Sequence, residues 1–122
     1  MRDDNLIRKK TYDFALEIIK LYKFLTSKNE FVLSKQILRC GTSIGANVEE
    51  AQAAQSRKDF MSKLSIASKE ARETLYWLRL LNDSKFLDDY ENKSFLFDEI
   101  NSIINIITKI IKTLKEGLKD EK

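Results

Sequence analysis

Four glutamates in two close pairs are the side chains whose types and spacing could support chemistry: Glu49, Glu50, Glu70 and Glu73. Clustered carboxylate oxygens can hold a hard metal ion. However, Lys69 and Arg72 are interleaved with the second pair, so ion pairing is the favoured interpretation. Arg39 needs a partner if a helical bundle buries it. We expect that partner to be one of three of these glutamates, Glu50, Glu70 or Glu73.

The chain contains no histidine and a single cysteine, Cys40. The absence of histidine removes the commonest general base and every Ser-His or Cys-His nucleophile. It also removes the Glu-x-x-His pairs of di-iron bundles. One cysteine cannot form an intrachain disulfide or a cysteine-rich zinc site, and the apolar neighbours of Cys40 indicate a small core residue. The composition therefore offers none of these catalytic arrangements, and we expect no catalytic residues, metal ligands or cofactor.

Basic residues are concentrated in the N-terminal third of the chain. Residues 1–40 hold nine basic and five acidic residues, whereas the whole chain carries a net charge of +3. A basic surface attracts phosphates and releases counterions, so this bias predicts RNA or DNA binding through phosphates without base readout. The candidate contacts are Lys10, Lys20, Lys23, Lys28, Arg57 and Lys58. The alternative is a solvated salt-bridge face, since Asp13 and Glu17 lie within helical reach of Lys20.

The segment 36–51 has helical apolar spacing but two features that a helix does not need. Gly41 and Gly45 lie inside it, although a glycine within a helix costs about 0.8–1 kcal/mol relative to alanine. Polar residues form a second stripe beside the apolar one: Gln36, Ser43, Asn47 and Glu50. We interpret the glycines as points where a neighbouring backbone approaches closely, with Ser43 and Asn47 hydrogen-bonding across the contact.

Helical periodicity predicts an all-α fold with helices at about residues 11–27, 31–54, 57–82 and 92–116. Thr11 is the expected N-cap of the first helix, and Gly117 is the expected C′ residue of the fourth. Ser56 and Asp59 form a weaker version of the capping box at the third. Short connections between long amphipathic helices predict an antiparallel up-down-up-down four-helix bundle, forming one domain over residues 1–122.

The N-terminus lacks the basic-then-apolar order of a signal peptide. No uncharged apolar run reaches the roughly 18 residues that a membrane span requires. We therefore expect a cytoplasmic protein that does not enter a membrane.

The fourth helix is more apolar than one helix of a bundle needs to be. Its two heptad-like seams share Ile100, Ile107 and Leu114, whereas a bundle helix requires only one seam. A second seam left in water would be an apolar patch that soluble monomers rarely carry. We therefore predict a homo-oligomer that associates through this face, with Ile104 and Ile111 at the interface and the first helix, whose apolar face is also wider than one stripe, as a further contributor. The alternative is that neighbouring helices on both sides cover this face.

Four segments carry a resemblance to a known family: Lys10-Thr-Tyr-Asp-Phe-Ala15, Gln36-Ile-Leu-Arg39, Thr42-Ser-Ile-Gly-Ala-Asn-Val-Glu-Glu-Ala51 and Ser68-Lys-Glu-Ala-Arg-Glu-Thr-Leu-Tyr-Trp-Leu78. In order and spacing they resemble the bacterial four-helix bundles called 23S ribosomal RNA intervening-sequence proteins, or the S23 family. The resemblance implies a cytoplasmic, non-enzymatic bundle. A related branch forms the basic, pentameric accessory subunit of diversity-generating retroelements. That branch implies a pentamer, and it makes a reverse transcriptase the most remote of the candidate partners.

Two functional hypotheses follow from the sequence. The first is a homo-oligomeric module that binds RNA or DNA through its basic surface. The second is a protein-interaction scaffold or accessory subunit that does not contact nucleic acid and whose charge only confers solubility.

Overall fold

Four helices follow one another in the computed structural model, which describes the backbone of residues 2–120 and the side chains of residues 5–118. They are α1 (Arg2–Ser27), α2 (Leu33–Ala51), α3 (Arg57–Asp83) and α4 (Lys93–Asp120). Each helix packs against the next, and α4 also packs against α1, whereas the backbones of the diagonal pairs α1–α3 and α2–α4 do not come close within residues 2–120. The helices therefore stand at the corners of a square, and the predicted all-α four-helix bundle is confirmed.

One continuous aliphatic core runs along the axis of the bundle, and all four helices contribute to it. Phe14 of α1, Ile44 of α2, Leu78 of α3 and Ile107 of α4 are fully buried. Burying a side chain of this size contributes about 1.5–3 kcal/mol, so this shared core is the main source of stability. None of the described helices has an apolar stretch long enough to cross a lipid bilayer.

The first helix begins at Arg2, so the prediction that Thr11 is its N-cap was wrong. Ile7 is buried in the core, and its burial extends the apolar face of α1 beyond the predicted start. Thr11 is itself buried within the helix, where its hydroxyl donates a hydrogen bond to the Ile7 carbonyl at 2.8 Å. Inside a helix a threonine hydroxyl can donate to the carbonyl one turn earlier, whereas at the start of a helix it accepts a backbone N–H.

The other helix ends show one further correction and two capping arrangements. α4 continues through Gly117 to Asp120, and no described glycine has a positive φ, so Gly117 is not a C′ residue. The Ser56 hydroxyl accepts the Asp59 N–H at 3.0 Å, as predicted. α2 starts at Leu33, and the Glu30 carboxylate accepts the backbone N–H groups of the three residues 32–34.

Two non-glycine residues with positive φ follow α1 and α3 at the same end of the bundle. They are Asn29 (φ 66°) and Lys85 (φ 72°). After α3, the Phe86 N–H donates to the Leu81 carbonyl at 2.9 Å and the Lys85 N–H donates to the Asn82 carbonyl at 3.0 Å. This is the Schellman arrangement, in which glycine is the usual residue at the left-handed position. Lysine at that position therefore carries a conformational cost.

The connection between α3 and α4 is attached to α1 through a nearly buried carboxylate. The Tyr90 hydroxyl donates to a carboxylate oxygen of Glu17, and the Asn92 amide donates to the same oxygen at 3.0 Å. Burial, together with the hydrogen bond to Glu17, raises the pKa of the Tyr90 phenol well above its ordinary value. Tyr90 also makes an edge contact with Phe24, with ring centroids 5.0 Å apart. These contacts fix the position of the connection.

Candidate nucleic-acid interface

The backbone of α1 approaches α2 closely at Gly45, as predicted, whereas the close neighbour at Gly41 is a side chain of α1. A β-carbon at Gly45 would lie 3.3 Å from the backbone oxygen of Thr11, and one at Gly41 would lie 2.8 Å from the Ile18 side chain. Both contacts are tight for a methyl group, and the one at Gly41 is closer than carbon atoms tolerate. The absence of side chains at these two positions therefore sets the spacing of α1 and α2.

The polar side chains of the same segment do not bond across the helix contact, so that part of the prediction was wrong. The Ser43 hydroxyl donates to the Arg39 carbonyl at 2.7 Å, and the Asn47 amide donates to the Ser43 carbonyl at 2.9 Å. Both acceptors lie one turn earlier in α2, where they are the nearest carbonyls to a short polar side chain. Gln36 and Glu50 are exposed, and Glu50 lies 3.9 Å from the Lys63 ammonium.

Arg39 joins α2 to α3 through two of its three predicted partners, although its side chain is half exposed and not buried. Its guanidinium lies 3.2 Å from Glu70 and donates a second hydrogen bond to Glu73. The Trp77 indole N–H also donates to Glu73, at 3.0 Å. No group of three metal-ligating side chains occurs in the part of the chain that the structure describes. The family segments therefore build a helix–helix seam.

Cys40 lies inside the bundle beside this seam. Burial raises the pKa of the Cys40 thiol to about 11. A thiol with such a pKa is almost entirely protonated at neutral pH and is a poor nucleophile. Cys40 is therefore a core residue, as the sequence predicted.

Three of the four candidate lysines in α1 and directly after it have carboxylate neighbours. The Lys10 ammonium lies 2.7 Å from Glu99, and both side chains are about four-fifths buried. Lys20 lies 4.0 Å from Glu17, and Lys28 lies 3.8 Å from Asp89. Lys23 is exposed and has no ion pair among residues 5–118. A phosphate would have to displace Glu99 to reach Lys10, whereas the other three ammonium groups remain accessible.

The remaining basic candidates lie where α3 begins. Lys58 is exposed, and the Arg57 guanidinium lies beside Gly117 of α4, 3.2 Å from the position of an added β-carbon. The two candidates therefore mark the end of the bundle at which α3 starts and α4 ends. They do not lie beside the lysines of α1, because α1 and α3 occupy opposite corners of the bundle.

A groove between α3 and α4 brings together cations that the sequence prediction did not include. Its volume is about 430 Å³, and we call it the α3–α4 groove; its lining is Ser65, Ser68, Arg72, Thr108, Ile111, Lys112, Lys115 and Glu116. Arg72, Lys112 and Lys115 have no carboxylate partner within the described side chains. Arg72 makes only a long hydrogen bond, of 3.5 Å, to the Thr108 hydroxyl. The groove thus combines unpaired positive charge with three hydroxyl groups.

The sequence shows how the groove residues are spaced within each helix, but it does not show which residues of α3 face which residues of α4. Positions 65, 68 and 72 share one face of a helix, as do 108, 112 and 115. Which two faces meet depends on the register of α3 against α4, and the register is set by the packing of the core. The even balance of charge over the C-terminal two thirds of the chain also concealed a local excess of cations.

Most exposed apolar side chains of the helices lie on α1 and α3, whereas α4, where the surplus was predicted, exposes only Phe95 among the large apolar side chains that the structure describes. Ile104 is buried by the chain's own helices, with 8% of its surface exposed, so its assignment to an oligomer interface was wrong. Ile111 is half-buried and lines the α3–α4 groove. Exposed apolar side chains instead follow the outer face of α1, here called the α1 stripe, at Tyr12, Leu16 and Ile19. Others follow α3, here called the α3 stripe, at Ile66, Tyr76 and Leu80.

Comparisons with known proteins identify related sequences and a related structure. The sequence profile of a family described as 23S rRNA-intervening sequence protein matches residues 3–112. A crystal structure from Bacteroides thetaiotaomicron VPI-5482, described as a protein with unknown function from the S23 ribosomal protein family, is 49% identical in sequence. The match covers 90% of this chain and 98% of that one, with a TM-score of 0.85. No curated protein matches the chain.

Proposed function

Because the chain belongs to the family of 23S rRNA-intervening sequence proteins, we propose that it is a non-enzymatic, cytoplasmic bundle that self-associates and binds nucleic acid through phosphates. Family membership supports the fold and a connection with ribosomal RNA genes. One observation carries the proposed activity: Arg72, Lys112 and Lys115 line one groove without a carboxylate partner among the described residues.

The α3–α4 groove offers the groups that recognise a phosphate backbone. Arginine can donate two parallel hydrogen bonds to phosphate oxygens, and lysine supplies a compact positive charge. The hydroxyls of Ser65, Ser68 and Thr108 can donate further bonds of the kind that position a protein on nucleic acid. Glu116 is the one carboxylate in the lining, so the lining keeps a net positive charge. None of these groups is arranged to read base edges, and binding should tolerate different sequences.

The exposed lysines of α1 form a second surface that could contact phosphate. Lys20 and Lys23 are exposed on α1, which stands at the corner of the bundle opposite α3. A pair of charge-reversal variants therefore separates the two surfaces. Arg72→Glu with Lys112→Glu alters the α3–α4 groove, and Lys20→Glu with Lys23→Glu is the matched control with the same change of charge.

A salt-dependent titration against duplex DNA, structured RNA and single-stranded RNA tests the proposal. Three phosphate contacts per protomer give a slope of log K against log salt of about −2.7, or about a 40-fold loss on duplex DNA between 50 and 200 mM salt. We expect the groove variant to bind all three probes more weakly and to have a shallower slope. The α1 variant should change binding less.

Two outcomes would contradict this proposal. If the wild-type protein does not bind any of the three probes at low salt, nucleic-acid binding is refuted and the alternative function, a protein-interaction scaffold, is favoured. If the α1 variant loses binding and the groove variant does not, the lysines predicted from the sequence form the interface, and the α3–α4 groove does not.

Self-association is supported by the positions of the two apolar stripes. The α1 stripe and the α3 stripe differ in sequence and lie on opposite corners of the bundle. Contact between one stripe and the other on a second copy would be heterologous, and such contacts close into rings or continue as filaments. A closed ring agrees with the pentamer that family resemblance implies, although the stripes do not specify a subunit number.

Light scattering tests the assembly. We expect a mass several times the 14.3 kDa of one chain, and a lower mass for Leu16→Lys with Ile19→Lys. Lys20→Glu with Lys23→Glu is the control on the same helix and should retain the assembly. A wild-type protein that stays monomeric at high micromolar concentration would contradict self-association.

A further inference from the structure

A small cleft with aromatic and basic walls lies at the end of the bundle where α1 and α3 finish. We call it the end cleft; its volume is about 220 Å³ and its lining is Phe24, Lys28, Lys85, Phe86 and Asp89. The end cleft lies beyond the C-terminal end of α3, whereas Arg57 and Lys58 lie at the N-terminal end of that helix. The cleft differs from the α3–α4 groove because aromatic rings form part of its walls.

The two rings of the end cleft leave aromatic surface accessible. Phe86 is 38% exposed, although its place after the helix requires only an apolar contact with Leu81. Phe24 makes an edge-to-face contact with Tyr90. The Lys28 ammonium lies 5.5 Å from the centroid of the Phe24 ring. A flat π-system could therefore stack on Phe86 while the ring of Phe24 forms a second, fixed wall.

The cations of the end cleft are placed for a phosphate attached to that π-system. Lys85 has no ion pair within the described side chains, and it occupies a left-handed backbone position that glycine would occupy at lower cost. Lys28 faces Asp89 at 3.8 Å, but the Asp89 side chain is 82% exposed and can move away into solvent. Two ammonium groups thus flank an accessible aromatic surface.

We infer that the end cleft receives one unstacked nucleobase against Phe86, with the adjoining phosphate between Lys28 and Lys85. Base stacking on an aromatic side chain beside a basic surface is the usual chemistry of single-strand binding, and it tolerates different bases. The inference rests on the proposed nucleic-acid binding and adds a preference for single strands. Arg72 and Lys85 are thirteen residues apart, or about 20 Å at the helical rise, so one strand of several nucleotides could reach both sites.

The test compares two phenylalanine variants in binding to a short adenine-only RNA and to a duplex RNA. Phe86→Leu keeps an apolar side chain at the position after α3 but removes the ring. Phe95→Leu is the matched control, because Phe95 is 41% exposed on α4 and does not line the end cleft. We expect Phe86→Leu to weaken binding of the single strand about tenfold, the low end of the usual effect of losing one stacked base. Duplex binding and Phe95→Leu should be unaffected.

A second measurement distinguishes a strand from a free nucleotide as the source of the base. Adenosine monophosphate is titrated while the NMR signals of residues 84–90 are followed. Shifts in these signals with only weak affinity, together with tighter binding of the RNA strand, would support a site for one base of a strand. Tight saturation by the mononucleotide alone would overturn that assignment, because the cleft would then be a nucleotide site.

The inference and the proposed function can fail separately. Equal single-strand affinities of Phe86→Leu, Phe95→Leu and wild type would overturn the stacking site, while loss of duplex binding on changing Arg72 and Lys112 would still support the groove. If only single strands bind, and only Phe86→Leu weakens them, the end cleft stands and the α3–α4 groove fails.

Discussion

Substituting each of the three glycines by alanine should separate intrinsic helix preference from packing at the α1–α2 contact. All three lie inside helices: Gly41 and Gly45 in α2, and Gly117 in α4. In an open helix position this substitution stabilises by about 1 kcal/mol. The surroundings differ at each glycine, so any difference among the three results reports the cost of the added methyl group.

At Gly41 the new β-carbon would lie 2.8, 2.9 and 3.1 Å from three atoms of the fully buried Ile18 side chain. Overpacking of a core typically costs about 1–3 kcal/mol, which exceeds the gain in helix preference. At Gly45 the nearest atom is the Thr11 carbonyl oxygen, at 3.3 Å, and the helices need to separate only slightly. At Gly117 the single neighbour is the end of the Arg57 side chain, at 3.2 Å, which can turn aside.

We therefore expect Gly41→Ala to lower the free energy of unfolding by about 1 kcal/mol and Gly45→Ala to change it by less than about 0.5 kcal/mol. Gly117→Ala should raise it by about 0.5 kcal/mol, since the last turns of a helix are only partly formed. Urea unfolding followed by circular dichroism at 222 nm measures all three. Equal protein concentration is required, because association would add to apparent stability.

The double variant Gly41→Ala with Ile18→Ala provides the control. Removing the Ile18 side chain opens a cavity, but it also removes all three close contacts. Within the Ile18→Ala background, Gly41→Ala should stabilise the protein, which reverses its effect in the wild type. Stabilisation by Gly41→Ala in the wild-type background, as large as that of Gly117→Ala, would refute the reasoning.

Three further predictions concern single side chains. Lys85→Gly should raise the free energy of unfolding by about 0.5–1 kcal/mol, because glycine adopts positive φ without strain; a lack of stabilisation in urea unfolding would contradict this. Burial raises the pKa of the Cys40 thiol from its ordinary value of 9.0 to about 11, so the stability that the protonated thiol adds is present below pH 9 and is lost as the pH rises towards 11. Denaturant unfolding of the wild type should therefore decline more steeply over this interval than that of Cys40→Ala, by about 2 kcal/mol in total, and parallel curves would argue against it. Asn47→Ala should change the free energy of unfolding in urea little, since within the described residues the Asn47 amide bonds only to the Ser43 carbonyl of its own helix, and a loss above about 2 kcal/mol would point to a partner on another helix.

The sequence predicted the contacts between helices best at residues that are unfavourable on their own, such as a glycine inside a helix, because the surrounding packing must account for them. Gly41 and Gly45 were unfavourable in a helix, and α1 leaves little room for a side chain at either, through the Ile18 side chain at Gly41 and through the Thr11 backbone at Gly45. Arg39 pairs with Glu70 and Glu73, two of the predicted carboxylates, although its half-exposed side chain did not require a partner. At the two glycines the residue type restricted the possible surroundings.

The prediction was wrong where one residue type is compatible with two surroundings. Thr11 can accept a hydrogen bond at the start of a helix or donate one inside it, and the burial of Ile7 selected the second arrangement. Ile104 of α4 and Leu16 of α1 both belong to apolar faces wider than one stripe. The packing of α4 between α1 and α3 covers Ile104, whereas Leu16 stays exposed to water. The α3–α4 groove depends on helix register, which the spacing within one helix does not contain.

The seam of Arg39, Glu73 and Trp77 gives the protein an intrinsic fluorescent probe of the contact between α2 and α3. Trp77 is the one tryptophan of the chain, and its indole N–H is bound to a carboxylate that also holds Arg39 of α2. Its fluorescence should therefore respond to separation of α2 from α3, whereas far-ultraviolet dichroism averages over all four helices. If the two signals coincide during denaturation, the bundle unfolds as one cooperative unit; if the fluorescence changes first, the seam opens while the helices persist.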